Sequence, residues 1–204
     1  MPLIFLFLIV FSCVSLSNEV EEQIKVSFNQ DWNFLPSADK ISAEDIKLFN
    51  PSHPKEIFNT SAASWISRGS GQESLISLRS PVLTGSGACG SFLILEDGLP
   101  IRPAGFCNVN NLFEVSLNLA SNIEILKGPS SARFGGNALH GAINIETLRV
   151  DGTNYLKTEI NNEESFKSTF QYQESKNWTL GISLGSNKGF RDDSGYDEQK
   201  FAFK

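Results

Sequence analysis

Two glycine-rich segments are the places in this sequence where phosphate-binding chemistry would be sought first. Residues 85–90 read GSGACG, which has the GxGxxG spacing of dinucleotide-binding loops. That fingerprint needs a strand before it and a helix after it, whereas Pro81 interrupts the approach and an apolar strand pattern follows. The second segment, residues 128–135, has no Lys-Ser or Lys-Thr pair after its second glycine. Neither segment is therefore predicted to bind a nucleotide.

The other reactive side chains form no catalytic or metal-binding pattern. His53 and His140 stand in no HExxH motif and in no recognisable nucleophile arrangement with a serine or cysteine. Asp192, Asp193 and Asp197 share one acidic loop, but their spacing differs from that of a calcium-binding EF-hand. The sequence predicts a protein that is not an enzyme and that has no cofactor and no metal.

Composition limits the remaining classes. The 204 residues are 40% hydrophobic and 20% charged, which suits one well-buried core and part of a second. The formal net charge is -6 and the sequence has no basic run, so it lacks the positive face that nucleic-acid binding requires.

The N-terminus has the pattern of an export signal. Residues 2–14 form an apolar run that is shorter than the roughly 20 residues of a membrane-spanning helix. Ser15 and Ser17 supply the small residues of a signal-peptidase site. We predict a signal peptide over residues 1–17; a lipoprotein attached through Cys13 and a buried N-terminal element are the alternatives.

Two cysteines, Cys89 and Cys107, remain once the signal is removed. An exported chain enters an oxidising compartment, so a disulfide between them is predicted, with two free buried thiols as the alternative. A pair without further cysteines or a close histidine gives no zinc site.

Residues 18–40 precede the first predicted domain. Ile24, Val26 and Phe28 alternate with polar residues, at the period of two that is typical of a strand. The segment is either an ordinary first strand or a docking peptide that adds to the sheet edge of a partner.

Short helices and strands are predicted between residues 41 and 120. A helix capped by Ser42 turns Ile46 and Phe49 inward and is ended by Pro51 and Pro54. Further predicted elements are a helix over residues 55–63 with Ile57 and Phe58 inward, a hairpin over 65–79, a buried strand from Phe92 that ends in an Asp-Gly turn, and a helix over 112–120.

The chain is organised around residues 123–147, where two short half-buried strands flank a loop rich in Gly, Ser and Ala. The motif KGPSSARFGGNALHGAINIET within it resembles the one that closes the plug domain of TonB-dependent outer-membrane receptors. The strand over residues 92–97, with Gly98 and Pro100 after it, is similar to another strand of that family. The hairpin that ends at Arg79 is also similar, although Ser80 follows where the family usually has glycine.

Beyond residue 147 the sequence changes to longer alternating segments, over residues 156–160, 166–172 and 178–184. Segments of about ten residues with this alternation are typical of transmembrane β-barrel strands. A long extracellular loop is predicted over residues 187–198, before a fourth strand at 201–204. Because bacterial barrels start at about eight strands, we expect the chain to be the N-terminal part of a longer receptor.

The resemblance implies an α+β plug domain, a small mixed sheet with short helices, followed by antiparallel strands of an incomplete transmembrane β-barrel. It divides the chain after the signal peptide into a periplasmic segment with a candidate TonB box over residues 18–40, a plug over 41–150 and barrel strands over 151–204. It implies energy-coupled uptake of a scarce ligand, such as a ferric siderophore or another metal chelate, across the outer membrane of a Gram-negative bacterium. The partners would be a TonB-type energy-transducing protein and outer-membrane lipid. The alternative is a secreted β-rich binding or adhesion protein without transport activity.

The resemblance also implies three sets of site residues. The TonB-coupling residues would be Ile24, Lys25, Val26, Ser27 and Phe28. The ligand-contact candidates are Arg102, Phe106, Asn108, Asn110 and Asn111. The alternative is a solvated loop that the disulfide ties down for stability alone. The plug-barrel contact candidates are Arg79, Asp97, Glu124, Lys127 and Arg133. The alternative is that these charges lie at exposed strand ends and contact no barrel.

Overall fold

The structure, a computed structural model, describes residues 38–69, 72–80, 92–102, 111–129, 134, 138–148, 154–161, 165–174, 177–189 and 192–204. Its strands are β1 (Ala38–Ser42), β2 (Ser64–Ser67), β3 (Leu75–Leu78), β4 (Phe92–Glu96), β5 (Leu99–Pro100), β6 (Ala120–Lys127), β7 (Gly141–Thr147), β8 (Tyr155–Asn161), β9 (Ser165–Glu174), β10 (Trp178–Asn187) and β11 (Tyr196–Phe203). Its helices are α1 (Ala43–Phe49), α2 (Pro54–Phe58) and α3 (Asn111–Glu114), with a 3-10 turn over Leu117–Leu119.

A five-stranded sheet in the order β1-β6-β7-β4-β5 forms the centre of the N-terminal domain, residues 38–148. Its neighbouring strands are antiparallel except β4 and β7, which run parallel. Ile123 lies opposite Ile145 and Ile125 opposite Ile143, and none of these side chains is exposed. Alternate residues of a strand point to one face, so these isoleucines form a single core together with Ile46 of α1.

The two strands predicted within residues 123–147 are confirmed as β6 and β7, but the expectation that both are half-buried is wrong. Six of the seven residues of β7 are buried, Asn144 among them. The strand lies between β6 and β4 in the sheet order, so a polar side chain here is covered on its own face and has to find a hydrogen-bond partner inside the domain.

The helix predicted at Ser42 is confirmed, with one error in its buried face. Ser42 and Asp45 form a capping box, and Asn50 ends the helix in the left-handed conformation. Ile46 is buried, whereas Phe49 is 48% exposed. The core follows the Ile46 side of this two-turn helix, which leaves Phe49 on the solvent side.

The boundaries of the next helices differ from the prediction. Pro54 starts α2 rather than ending α1, because proline suits the first turn of a helix, and α2 stops at Phe58. The helix expected over residues 112–120 is divided into α3 and the 3-10 turn, and Ala120 already belongs to β6. The hairpin of β2 and β3 is confirmed, with Ile66 opposite Ile76.

The second sheet is an antiparallel meander in the order β11-β10-β9-β8, which confirms the alternating strands after residue 147. One face is buried and polar, with Thr169, Gln171, Thr179 and Ser183. The other face carries exposed hydrophobic side chains, namely Leu156, Ile160, Phe166, Phe170, Tyr172, Leu184, Phe201 and Phe203. The long loop expected over residues 187–198 is shorter, since β11 begins at Tyr196.

Across the described parts of the chain, no helix combines the length and the apolar character needed to cross a membrane.

Candidate functional site

Small side chains of β10 let the second sheet approach the N-terminal domain closely. A Cβ added at Gly181 would lie 2.6 Å from Leu148 Cδ2 and 2.9 Å from Leu119 Cδ1, closer than real Cβ atoms come to a neighbour. Two residues further along the same face, Ser183 Oγ accepts a hydrogen bond from Asn118 Nδ2 at 3.4 Å. The interface is thus tight at one glycine and polar beside it.

Three lysines of the second sheet donate hydrogen bonds to main-chain carbonyls of the N-terminal domain. Lys167 Nζ of β9 lies 2.7 Å from the carbonyl oxygen of Pro51. Lys200 Nζ of β11 lies 3.2 Å from that of Val115, and Lys204 Nζ lies 3.0 Å from that of Thr147. The lysines therefore bind three separate segments of the domain through main-chain carbonyl groups, which are present whatever the side chain.

Asp97 is the most extensively bonded of the predicted plug-barrel residues. It begins the turn between β4 and β5 in the left-handed conformation, with φ 48°, and Gly98 follows with φ 82°. Its Oδ1 accepts from the Thr147 backbone N–H at 3.0 Å and its Oδ2 from the Thr147 hydroxyl at 2.7 Å. Lys204 Nζ also lies 2.9 Å from Oδ1. Asp97 thus joins the β4–β5 turn to the end of β7 and to the end of the second sheet.

Lys127 lies inside the N-terminal domain, whereas Arg79 lies at its surface. Lys127 forms an ion pair with Asp39 of β1, inside the N-terminal domain, and its side chain is only 5% exposed. Burial by itself would raise the pKa of Asp39, but hydrogen bonds from Lys127 and Ser61 outweigh burial and lower it. Arg79 is exposed at the end of the β2–β3 hairpin, with φ 54°. A contact of either side chain with a barrel wall stays a prediction.

Glu124 lies opposite Asn144 in the sheet and accepts a hydrogen bond from its Nδ2 at 3.3 Å. Asn144 in turn accepts the Gly98 N–H at Oδ1, 2.9 Å away. Burial raises the pKa of Glu124, and the charge of Glu146 adds to the rise, while the bond from Asn144 opposes it. Its role at a barrel wall likewise stays a prediction.

The raised pKa of Glu124 predicts a pH-dependent effect of Glu124→Gln. The folded domain holds the Glu124 proton more tightly than the unfolded chain does, so this contribution to stability is full below the ordinary pKa of 4.5 and is lost as the pH rises through the folded pKa. We expect the glutamine variant to be more stable than the wild type at pH 7 and to lose this advantage near pH 4. Hydrogen exchange of β6 and β7 amides at the two pH values measures the difference. An advantage of the same size at both values would contradict the assignment.

Of the ligand-contact candidates, Arg102 forms an ion pair with Glu114 of α3, and Asn111 is the first residue of that helix. Several predicted residues lie outside the part of the chain that the structure describes and stay predictions: Phe106, Asn108 and Asn110 of the ligand loop, Arg133, the cysteines Cys89 and Cys107, and Ile24 to Phe28 of the coupling segment.

A polar cavity of about 520 Å³ lies between the N-terminal domain and the second sheet. Its lining includes Glu56 and Arg68 on one side and Glu159, Lys167 and Glu198 on the other. None of these residues was predicted from the sequence as a site residue. The signal that could have found Glu159, Lys167 and Glu198 is their strand position, because each lies on the inward-facing register of its strand.

His53, one of the two histidines of the sequence, has a structural role in the N-terminal domain. His53 is buried and caps α2, where its Nδ1 accepts the Lys55 N–H at 3.1 Å. Burial lowers the pKa of His53 to about 4, so the ring is neutral at physiological pH. Within those residues, no three His, Cys, Asp or Glu side chains are grouped so as to hold a metal ion.

Residues 33–142 match the sequence model of the family described as the TonB-dependent Receptor Plug Domain. This chain belongs to that family. The match includes β1, β4, β5 and β6 of the five-stranded sheet and the first two residues of β7.

Solved structures of receptors resemble this plug and the strands after it. The ferric yersiniabactin uptake receptor FyuA from Yersinia pestis is 18% identical with a TM-score of 0.61, over 82% of this chain and 28% of that one. The siderophore receptor PirA from Pseudomonas aeruginosa is 25% identical with a TM-score of 0.54, over 82% and 31%. FpvAI, solved in complex with pyocin S2, is 14% identical with a TM-score of 0.59, over 82% and 21%.

The plug chain spans less than a third of the length of each of these structures. The similarity covers more of it than the family match does, so it includes strands of the second sheet. The predicted fold class is therefore confirmed: a mixed plug sheet with short helices, then antiparallel strands like those of the receptor barrel. The four strands that the structure describes do not form a closed barrel.

Proposed function

We propose that this plug and its strands act in a TonB-dependent receptor that takes up a ferric siderophore or a similar metal chelate across an outer membrane. The observation that carries the proposal is the family match over residues 33–142, continued by a fold like that of siderophore receptors. No bond of the ligand is made or broken in this function, so the chain needs no catalytic group.

The two faces of the second sheet support a position in a membrane. Its outward face is apolar, and Trp178 packs between Tyr172 and Phe203 at ring distances of 5.5 and 6.1 Å. Aromatic side chains near the ends of the apolar band are typical of strands that cross a bilayer. A secreted binding protein, the alternative function, would leave this large apolar face in water, which makes it the less favoured one.

The position of β1 supports coupling through the N-terminal segment. β1 is the edge strand of the plug sheet and pairs only with β6 among the described strands. The candidate coupling residues Ile24 to Phe28 precede it in the sequence, so a pull on them would reach the plug through β1. An alternating segment of this kind can add to the sheet edge of an energy-transducing partner.

Uptake measurements test this proposal. Cells that lack their own receptor would be supplied with the receptor that contains this chain, and radiolabelled iron would be offered on a panel of siderophores that includes yersiniabactin. We expect accumulation of at least one chelate, and its loss in Ile24→Pro, because proline cannot donate to the sheet edge of a partner. Ile24→Val, which keeps an apolar β-branched side chain, should retain uptake. Uptake of no chelate would contradict the proposed function. Unchanged uptake in the proline variant would contradict the assignment of the coupling segment.

A further inference from the structure

We infer that Lys200 of β11 and Lys204, the residue that follows this strand, are positioning residues that fasten α3 and the β4–β5 turn of the plug, respectively, to the barrel wall. The two segments are distant in sequence, and each is held by one lysine. The inference concerns how the plug is seated, so it can be tested without a ligand and without transport.

Lys204 binds the first segment. Its Nζ lies 2.9 Å from Asp97 Oδ1 and 3.0 Å from the carbonyl oxygen of Thr147. The main chain beside it is also paired, because Lys204 and Thr179 exchange backbone hydrogen bonds at 3.0 and 2.8 Å. The amine is therefore presented to the β4–β5 turn from a fixed strand end.

Lys200 binds the second segment. Its Nζ lies 3.2 Å from the carbonyl oxygen of Val115 and 4.6 Å from the centre of the Phe113 ring, a distance suited to a cation–π contact. Tyr196 of the same strand meets the Phe113 ring edge-on at 5.9 Å. An ion pair with Glu198 at 3.1 Å orients the amine from within β11. The C-terminal end of α3 is therefore held from two sides.

The spacing of the two lysines matches the positions of the two segments. Residues four apart on a strand point to the same face and lie roughly 13 Å from one another. A lysine amine has three donors on a flexible stem, so it can contact a carbonyl, a carboxylate and a ring at the same time. Two of the acceptors are main-chain carbonyls, which substitutions in the plug do not remove.

A geometric consequence follows for any rearrangement of the plug. In the sequence, the β4–β5 turn precedes the loop with the predicted ligand contacts and α3 follows it, and the two segments are attached to β11 and to the residue after it. A plug movement that displaces either flank has to break the bonds of Lys200 or Lys204. Movement elsewhere in the plug leaves them intact.

Hydrogen exchange of the purified receptor tests the inference. Lys200→Met and Lys204→Met keep the length and apolar stem of the side chain but remove the donors. We expect about tenfold faster amide exchange at residues 112–118 in the first variant and at 96–99 in the second, as the loss of one charge-assisted hydrogen bond predicts. Lys157→Met is the matched control, since Lys157 forms its ion pair with Glu159 inside β8 at 3.2 Å.

Lys200→Arg and Lys204→Arg distinguish donated bonds from packing. Arginine keeps the charge and the donors, so these variants should restore slow exchange in the same segments. Wild-type exchange in both methionine variants would overturn the inference. Equal acceleration in the methionine and arginine variants would also overturn it, because the side-chain volume and not the donor would then hold the plug.

Discussion

Gly141→Ala is expected to destabilise the plug by about 4 kcal/mol, through backbone strain and a collision in the centre of the sheet. Gly141 has φ +154°, a conformation that side chains rarely adopt. An added Cβ would lie 2.5 Å from the carbonyl oxygen of Leu126 and 2.7 Å from Leu78 Cδ1. Gly141 pairs with Phe92 on one side and Lys127 on the other. The Leu126 carbonyl therefore cannot move away from Gly141 without breaking the pairing of β6 with β7.

Gly128→Ala separates the two causes. Gly128 also has a positive φ of 89°, but nothing lies within 4 Å of the position of its Cβ. This variant should lose only the conformational term, about 1 kcal/mol. The free energies of opening, from hydrogen exchange of core amides in β6 and β7, measure both losses. Equal losses in the two variants would show that the collision at Gly141 is relieved by the surrounding structure.

Asp97→Ala is expected to cost about 3 kcal/mol, because three donors lose the carboxylate that accepts their hydrogen bonds, and only one of them, the Lys204 amine, keeps another acceptor. The three donors are the backbone N–H and the hydroxyl of Thr147 and the amine of Lys204. Alanine also fits the left-handed conformation at φ 48° less well than aspartate does. The β4–β5 turn should then separate from the end of β7.

Asp97→Asn is the matched variant for this site. Asparagine tolerates the left-handed conformation and can still accept from Thr147, but it has no charge for Lys204, so its loss should be nearer 1 kcal/mol. Exchange of the Asp97 amide, which donates to the Ile145 carbonyl at 2.9 Å, reports the state of the turn. A loss in the alanine variant no larger than in the asparagine variant would contradict the assigned role of Thr147.

The strands and turns of this plug could be predicted because their signals are local. The alternation of isoleucine with polar residues in β6 and β7, the apolar run of β4, and the turn at Asp97 and Gly98 each lie within a few residues. The capping box of Ser42 and Asp45 is equally local. Such patterns predict a strand, turn or helix start because they act on the backbone of the same few residues.

The partners of the charged residues could not be predicted in this way. Lys127 pairs with Asp39 of a neighbouring strand, a partner that no pattern in the sequence indicates. Lys167 and Lys200 were not singled out, although they reach the plug backbone. A lysine in an alternating strand has the same local pattern whether it faces water or a carbonyl. Its partner depends on which segments the folded chain brings together, and sequence spacing does not contain that information.

The strand order of the two sheets has a consequence for the order in which they form. The plug sheet joins β1 to β6 and β4 to β7, segments that are far apart in the chain, while the second sheet pairs only consecutive strands. Pairings between sequence neighbours close shorter loops and form faster. We therefore expect the hairpins of β8 to β11 to form first as the chain folds. Until β1 pairs with it, that edge of β6 presents unpaired backbone groups to which another chain can add, and β1 therefore protects the sheet from aggregation.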